Sequence, residues 1–323
     1  MDMKKFDLIA LGELLIDFTE NGLSAQGNPL LEVNPGGAPC NVLAMLKKLG
    51  RHCAFIGKVG DDMFGRLLRD EIIKAGICAD YLLADPSVHT TLAFVKTMDN
   101  GDRDFSFYRD PGADMMLREA ELPLEALRDT AIFHFGTLSM THPEVRQATR
   151  TAVETAKAAG ALISFDPNLR LPLWSDPEEA RTQIAWGLGQ CDILKIADNE
   201  VQFMTGAERI SDGVEALRER YPNILLLNAT LGAEGSEAWF DSHHVYEPAC
   251  RLGGVIETTG AGDTFCACVL NTVLEHGLER MTEDDLRAML RFANTAAYLV
   301  TTKRGAIRSM PDRTQVEAIL SEK

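Results

Sequence analysis

Two hydrophobic periods take turns along this chain. Short apolar runs of strand length, beginning with Phe6 to Leu11, alternate with segments whose apolar residues recur every three or four positions. That alternation predicts βα units, with strands side by side in a mostly parallel sheet and helices on its faces. Cys53 to Ile56, Ile132 to Phe135, Ala161 to Phe165, Ile193 to Ile196 and Ile224 to Leu227 read as further buried strands. Helices are expected from Asn41 to Leu49, closed by Gly50, and from Phe265 to His276, ended by Gly277. Another carries the stripe Leu286, Leu290, Ala293 and Ala297; Thr282 precedes it, with Asp285 three positions on as a capping-box partner. The fold class is α/β.

Two stretches break the rhythm. Thr91 to Met98 and Arg103 to Tyr108 are rich in β-branched and aromatic residues, and Asp99, Asn100, Gly101 and Asp102 between them form a hairpin-turn signal. Leu14 to Val33 is irregular. Together these segments predict a small β-sheet projecting from the core, whose inner face covers a pocket or pairs with another subunit. No Pro- or Ser-rich linker occurs, so the two parts are interleaved rather than strung end to end.

Charge narrows the function. With 48 acidic and 32 basic side chains the net charge is −16, which repels phosphate backbones and anionic lipid and weighs against nucleic acid or a membrane surface as partner. No apolar run approaches the ~20 residues of a membrane span. Met1 to Ile9 lacks the apolar stretch and cleavage site of an export signal, so a cytoplasmic location is expected. The seven cysteines show no C-x-x-C spacing and read as reduced thiols. The seven histidines show no ligand spacing, and His134, in a strand-like run, reads as a core residue.

The chemistry concentrates in Thr258-Thr259-Gly260-Ala261-Gly262-Asp263-Thr264-Phe265, between Val255-Ile256 and a helical run. Residues this small at a helix mouth leave backbone N–H groups unobstructed, and these donors with the helix dipole form an anion site. Asp263 in the first turn is an ordinary capping residue or, beside an oxyanion cradle, a proton acceptor for phosphoryl transfer. That segment alone does not decide between the two.

Five further motifs decide it. Pro35-Gly36-Gly37-Ala38-Pro39-Cys40-Asn41, Phe107-Tyr108-Arg109-Asp110-Pro111-Gly112-Ala113-Asp114, Ser164-Phe165-Asp166-Pro167-Asn168-Leu169-Arg170, Thr230-Leu231-Gly232-Ala233-Glu234-Gly235 and Val300-Thr301-Thr302-Lys303-Arg304-Gly305-Ala306 follow in order along nearly the whole chain. With the Gly260 segment they resemble the ribokinase-like (PfkB) carbohydrate kinase family, in the form typical of its fructokinases. The resemblance implies one ribokinase-like domain over residues 1–323. It would be a three-layer sandwich with a mostly parallel central sheet and a β-lid from segments at roughly 14–35 and 88–114. It implies an ATP-dependent kinase that phosphorylates the 6-hydroxyl of D-fructose with Mg2+. Rival readings are a 2-dehydro-3-deoxygluconate kinase, another sugar kinase of the family, or a catalytically silent sugar-binding regulator.

Residue by residue, the resemblance makes Asp263 the general base and Gly260, Ala261 and Gly262 the anion hole. Asp17, Gly36, Gly37 and Asn41 would hold the sugar, and Arg109 would reach from the lid to the sugar or the forming phosphate. Arg170 would neutralise the transferring group. Thr230, Gly232 and Gly235 match the nucleotide-binding turn and Asn294 a position near the adenine. Glu200 would organise Mg2+ through water. The asparagine of the family's N-x-x-E is here Ala197, with Lys195 and Asn199 adjacent as replacements. Glu257 stands where the family has an aspartate that helps ligate a monovalent cation, so potassium use through Glu257 and Thr259 is an open expectation. Two lids could pair in a homodimer.

Overall fold

The computed structural model describes residues 4–97 and 103–322. Met98 and the expected turn at Asp99 to Asp102 lie outside the described residues. Among the described residues thirteen strands run in chain order: β1 (Phe6–Leu11), β2 (Leu15–Leu23), β3 (Pro29–Gly36), β4 (Cys53–Gly60), β5 (Cys78–Asp85), β6 (Leu92–Thr97), β7 (Arg103–Tyr108), β8 (Thr130–Gly136), β9 (Leu162–Asp166), β10 (Ile193–Ala197), β11 (Leu226–Thr230), β12 (Gly235–Phe240) and β13 (His243–Pro248). Nine form one sheet in the order β13-β12-β11-β10-β9-β8-β1-β4-β5. Its pairs are parallel from β11 to β5, and β12 is antiparallel to both β11 and β13.

Strand period sorts the core onto the two faces of this sheet. Leu8 and Ala10 join one cluster while Ile9 and Leu11 join the other, and Phe55 and Ile56 divide the same way. The first cluster is closed by helices including Ala38–Lys48, Ala261–His276 and Glu283–Thr301, the second by helices including Pro143–Ala158 and Pro177–Gln190. Thr282 caps its helix as expected: its hydroxyl accepts the Asp285 N–H at 3.2 Å, and the Asp285 carboxylate accepts the Thr282 N–H at 2.9 Å. Such a cap is worth about 1 kcal/mol. His134 is buried, hydrogen-bonded to Ser164 at 2.9 Å, and burial lowers its pKa to about 4, so it is a neutral core residue.

The second sheet has the order β3-β2-β6-β7. Leu14 to Val33, which breaks the βα rhythm, contributes the antiparallel pair β2 and β3 to the small sheet as expected, with Asp17 opposite Asn34. The last expected strand of the core shifts, from Ile224–Leu227 to Leu226–Thr230. Ile224 still bonds back to Tyr221, and the buried Asn228 continues a strand that its polarity had concealed. The edge strands β5 and β13 had no buried run to announce them; each alternates buried with half-exposed or exposed residues.

Candidate active site

Parallel strands deliver their carboxyl ends to one rim of the sheet, and a crevice opens there where the strand order reverses beside β1. A cavity of about 450 Å³ occupies that rim, lined by residues following β1, β9, β10 and β11 and by the mouth of the helix Ala261–His276. The small sheet covers one side. Alternation turns Leu15, Asp17 and Thr19 of β2, Asn34 of β3, Val95 of β6 and Phe107 of β7 toward the cavity. Phe18 and Phe94, of opposite parity, stack at 4.9 Å on the other face.

Asp263 sits in the first turn of the Ala261–His276 helix, where Gly260 takes φ +79° and a Cβ on it would lie 2.9 Å from the Ala306 Cβ. Thr264 closes the turn, its N–H and hydroxyl both donating to the Gly260 carbonyl at 2.8 and 2.7 Å. The N–H groups of Gly262 and Asp263 belong to the first turn, which the helix ladder does not consume. Asp263 Oδ2 accepts the Asn41 amide at 2.7 Å, a contact across 222 positions of sequence. Burial pushes the Asp263 pKa up to about 6; the Asn41 bond opposes the rise, Asp166 adds to it, and Lys195 and Arg170 oppose it. Asn41 is buried and its Oδ1 has no hydrogen-bond partner among the described residues.

Lys195 and Asp166 form a buried ion pair, Nζ to Oδ2 at 3.1 Å, beside the same helix mouth. The Lys195 Nζ would stand 3.2 Å from a Cβ on Gly262. Burial alone would lower the Lys195 pKa, but Asp166, then Glu200 and Asp263, push it above the usual lysine value. Glu200 faces the cavity, yet its oxygens accept the N–H groups of Leu169 at 2.7 Å and Ala197 at 2.8 Å. It is therefore first a brace for the β9 and β10 loops, and burial raises its pKa. Ala197 lines the cavity with Asp198 and Asn199.

Most other expected residues border the cavity: Asp17, Gly37, Thr230, Gly232, Gly235, Glu257, Thr259 and, exposed at its lip, Arg170. Gly36 packs under Asp17, with 2.5 Å between its would-be Cβ and Asp17 Oδ2. Gly235, at φ +130°, leaves no room for a side chain, since a Cβ would meet the Glu247 carbonyl at 2.2 Å. The Thr259 hydroxyl donates to Glu257 Oε1, and the Gly305 N–H reaches Oε2 at 3.3 Å. Asn294 borders the cavity, but its amide is spent on the scaffold, donating to the carbonyls of Glu247 and Pro248 at 3.1 and 3.2 Å and accepting from Ser236 at 2.9 Å.

Arg109 departs from expectation. It is buried, paired with Asp114 at 2.7 Å, and donates to Thr141 Oγ1 at 2.8 Å and the Leu138 carbonyl at 2.9 Å, so its guanidinium is not offered to the cavity. Among the lining residues that escaped the sequence reading are Asn34 and Glu13. Asn34 donates to Thr19 Oγ1 at 2.8 Å. Glu13 follows β1, accepts the Ala38 N–H at 2.8 Å, and has a pKa raised by burial to about 7. An acid directly after a buried parallel strand was the available signal for Glu13.

Among the described residues no helix is long and apolar enough to cross a membrane. Comparison with known proteins gives consistent results. The chain is 42% identical over 314 residues to a probable fructokinase-2 of Arabidopsis thaliana, covering 97% of this chain and 94% of that protein. A fructokinase from Xylella fastidiosa with bound ATP superposes with TM-score 0.89 at 29% identity, covering 98% of each chain. A double mutant of the Vibrio cholerae O395 fructokinase, with fructose, ADP and potassium bound, superposes with TM-score 0.86 at 27% identity, covering 98% of this chain and 99% of that one. Residues 5–313 match the profile described as pfkB family carbohydrate kinase. The chain belongs to the pfkB family of carbohydrate kinases.

Proposed function

We propose that the cavity transfers the γ-phosphoryl group of ATP to the 6-hydroxyl of D-fructose. The observation that carries this reading is the Asp263 carboxylate held by Asn41 at 2.7 Å at a glycine-lined helix mouth, with Lys195 and Arg170 close enough to influence its charge. The sugar lies between Asp17, Gly36, Gly37 and Asn41, where adjacent hydroxyls find a carboxylate, an amide and close-approaching backbone. Asp263 accepts the proton as the sugar oxygen bonds to the γ-phosphorus and the bond to the ADP oxygen breaks. The N–H groups of Gly262 and Asp263 in the Gly260-Ala261-Gly262 turn, with Lys195 and Arg170, hold the negative charge of the transferring group, while the Ala261 N–H is given to the Thr258 carbonyl at 3.3 Å. The turn of Thr230, Gly232 and Gly235 seats the nucleotide, with Asn294 fastening the wall behind it.

Asp198 and Glu200 line the cavity at the proposed phosphate end, but no group of three His, Cys, Asp or Glu among the described residues could hold a metal alone. Such a donor set fits a hydrated Mg2+ carried by the nucleotide rather than a resident ion. Bound there, it would neutralise charge on the β- and γ-phosphates, with Asp198 and Glu200 facing its waters. Glu257 and Thr259 supply oxygen donors beside the same mouth, the chemistry a monovalent cation requires. The potassium of the Vibrio cholerae protein supports that reading. The exposed Leu23, Leu30, Leu31 and Tyr108 of the small sheet support pairing of two lids in a dimer.

A keto-deoxy acid would need a cation at the sugar end, and Asp114 occupies Arg109. ADP release measured against fructose, ribose, glucose and 2-dehydro-3-deoxygluconate tests the assignment. Preference for fructose is expected; turnover with the acid alone, or with no sugar, would overturn it.

A further inference from the structure

Both strand pairs of the small sheet are fastened at their roots by a buried carboxylate. Glu13, just before β2, accepts the N–H of Ala38, just after β3. Asp114, after β7, accepts the hydroxyl of Thr91, just before β6, at 2.5 Å, and the Nε–H of Arg109, just after β7, at 2.8 Å, with Arg109 Nη2 in ion-pair contact at 2.7 Å. Thr91 also accepts the Ile16 N–H at its carbonyl, at 3.2 Å, which ties β2 to the same point. Glu13, Thr91, Arg109 and Asp114 are all buried. No side chain fits between them at Gly112, where a Cβ would lie 1.9 Å from Thr91 Oγ1 and 2.8 Å from Asp114 Oδ1.

This clamp reaches the cavity wall. Arg109 binds the Leu138 carbonyl, Leu138 and Glu13 both line the cavity, and Glu13 is near enough to Asp114 and Arg109 to feel both charges. A buried ion pair is weak evidence for stability, because apolar replacements often serve as well. What the pair does supply is direction: a guanidinium fork fixes two strand roots and one wall at defined angles.

We propose that Asp114 is a positioning residue for phosphoryl transfer. Acting through Arg109 and Thr91, it sets the β6–β7 arm against the Leu138 wall so that Val95 and Phe107 close over the acceptor. The inference rests on the kinase reading above. A loosened clamp depopulates the closed arrangement, weakens apparent sugar binding and admits water as a competing acceptor.

Thr91→Val removes the hydroxyl donor and keeps the ion pair, Thr91→Ser keeps the donor, and Asp114→Asn neutralises the carboxylate. Each is assayed for fructose phosphorylation, for ATP hydrolysis without sugar, and for thermal midpoint. In Thr91→Val the ratio of sugar-free hydrolysis to sugar phosphorylation and the fructose KM should each rise about tenfold, the scale of one lost hydrogen bond to a charged group. The ATP KM should stay within about twofold, and Thr91→Ser should restore wild-type values. If Asp114→Asn does not fold, the Thr91 pair decides. A lower midpoint with ratio and fructose KM unchanged would make the clamp merely structural and overturn the proposal. Wild-type protein that phosphorylates no sugar would overturn the kinase reading, and this inference with it.

Discussion

Replacing Asn41 with alanine removes the amide that favours the ionised form of Asp263. A proton acceptor works only when ionised, so losing that donor raises its pKa and moves the acidic limb of kcat/KM to higher pH. A hydrogen bond to a charged group is worth ~1.5–3 kcal/mol, and a pKa unit is ~1.36 kcal/mol, so the shift is about one to two units. From about 6 in the wild type, the base would then titrate at about 7–8. At pH 7 the wild-type carboxyl is about nine-tenths ionised and the variant's about half to a tenth. The ionisation loss is therefore about two- to tenfold in kcat/KM at pH 7, recovered near pH 9. The assay is kcat/KM for fructose between about pH 5 and 9.5. Glu13, with a pKa of about 7, is another cavity carboxyl titrating in this range, so the same profile in Glu13→Gln separates the two. If the limb of the Asn41→Ala protein stays near pH 6, Asp263 is not the group that the rate reports.

Asp263→Asn should lower kcat by ~10²–10⁴ with the fructose KM changed by less than about twofold, because proton acceptance matters mainly in the transition state; near-normal turnover would point to another base. Gly262→Ala places a methyl 3.2 Å from Lys195 Nζ within the anion cradle. Steady-state kinetics should show kcat reduced ~10²–10³ with the unfolding midpoint unchanged, and an undisturbed kcat would remove the residue from the cradle. Lys195→Met leaves Asp166 buried without its cation, so urea unfolding should show a loss of ~3–5 kcal/mol. A loss below ~1 kcal/mol would mean that Asp166 finds solvent or a proton instead.

The core was legible because burial on both faces writes parallel strands as predominantly apolar runs, as in Phe6–Leu11, broken by Asp7, and Ile193–Ala197, broken by Lys195. Edge strands β5 and β13 are covered less and carry mixed residues, so no such run announced them. Asp263 and its glycines were legible as a contiguous segment, and Asn41 as part of another; their contact was not, because no local pattern specifies a partner 222 positions away. Arg109 shows the limit of reading a charge by type. A sequence displays an arginine near a site, but whether its fork turns to ligand or to Asp114 depends on which groups packing buries beside it.

Because Asp263 and its amide partner Asn41 lie 222 positions apart in the chain, a nascent polypeptide supplies the two halves of this contact in a fixed order. At about 5–20 residues per second, Asn41 and the strands β2, β3, β6 and β7 leave the ribosome well before residue 263 emerges. Until then the helix Ala261–His276, which packs against the helix Ala38–Lys48 in one core, is missing, so the cavity is complete only when most of the chain has been made.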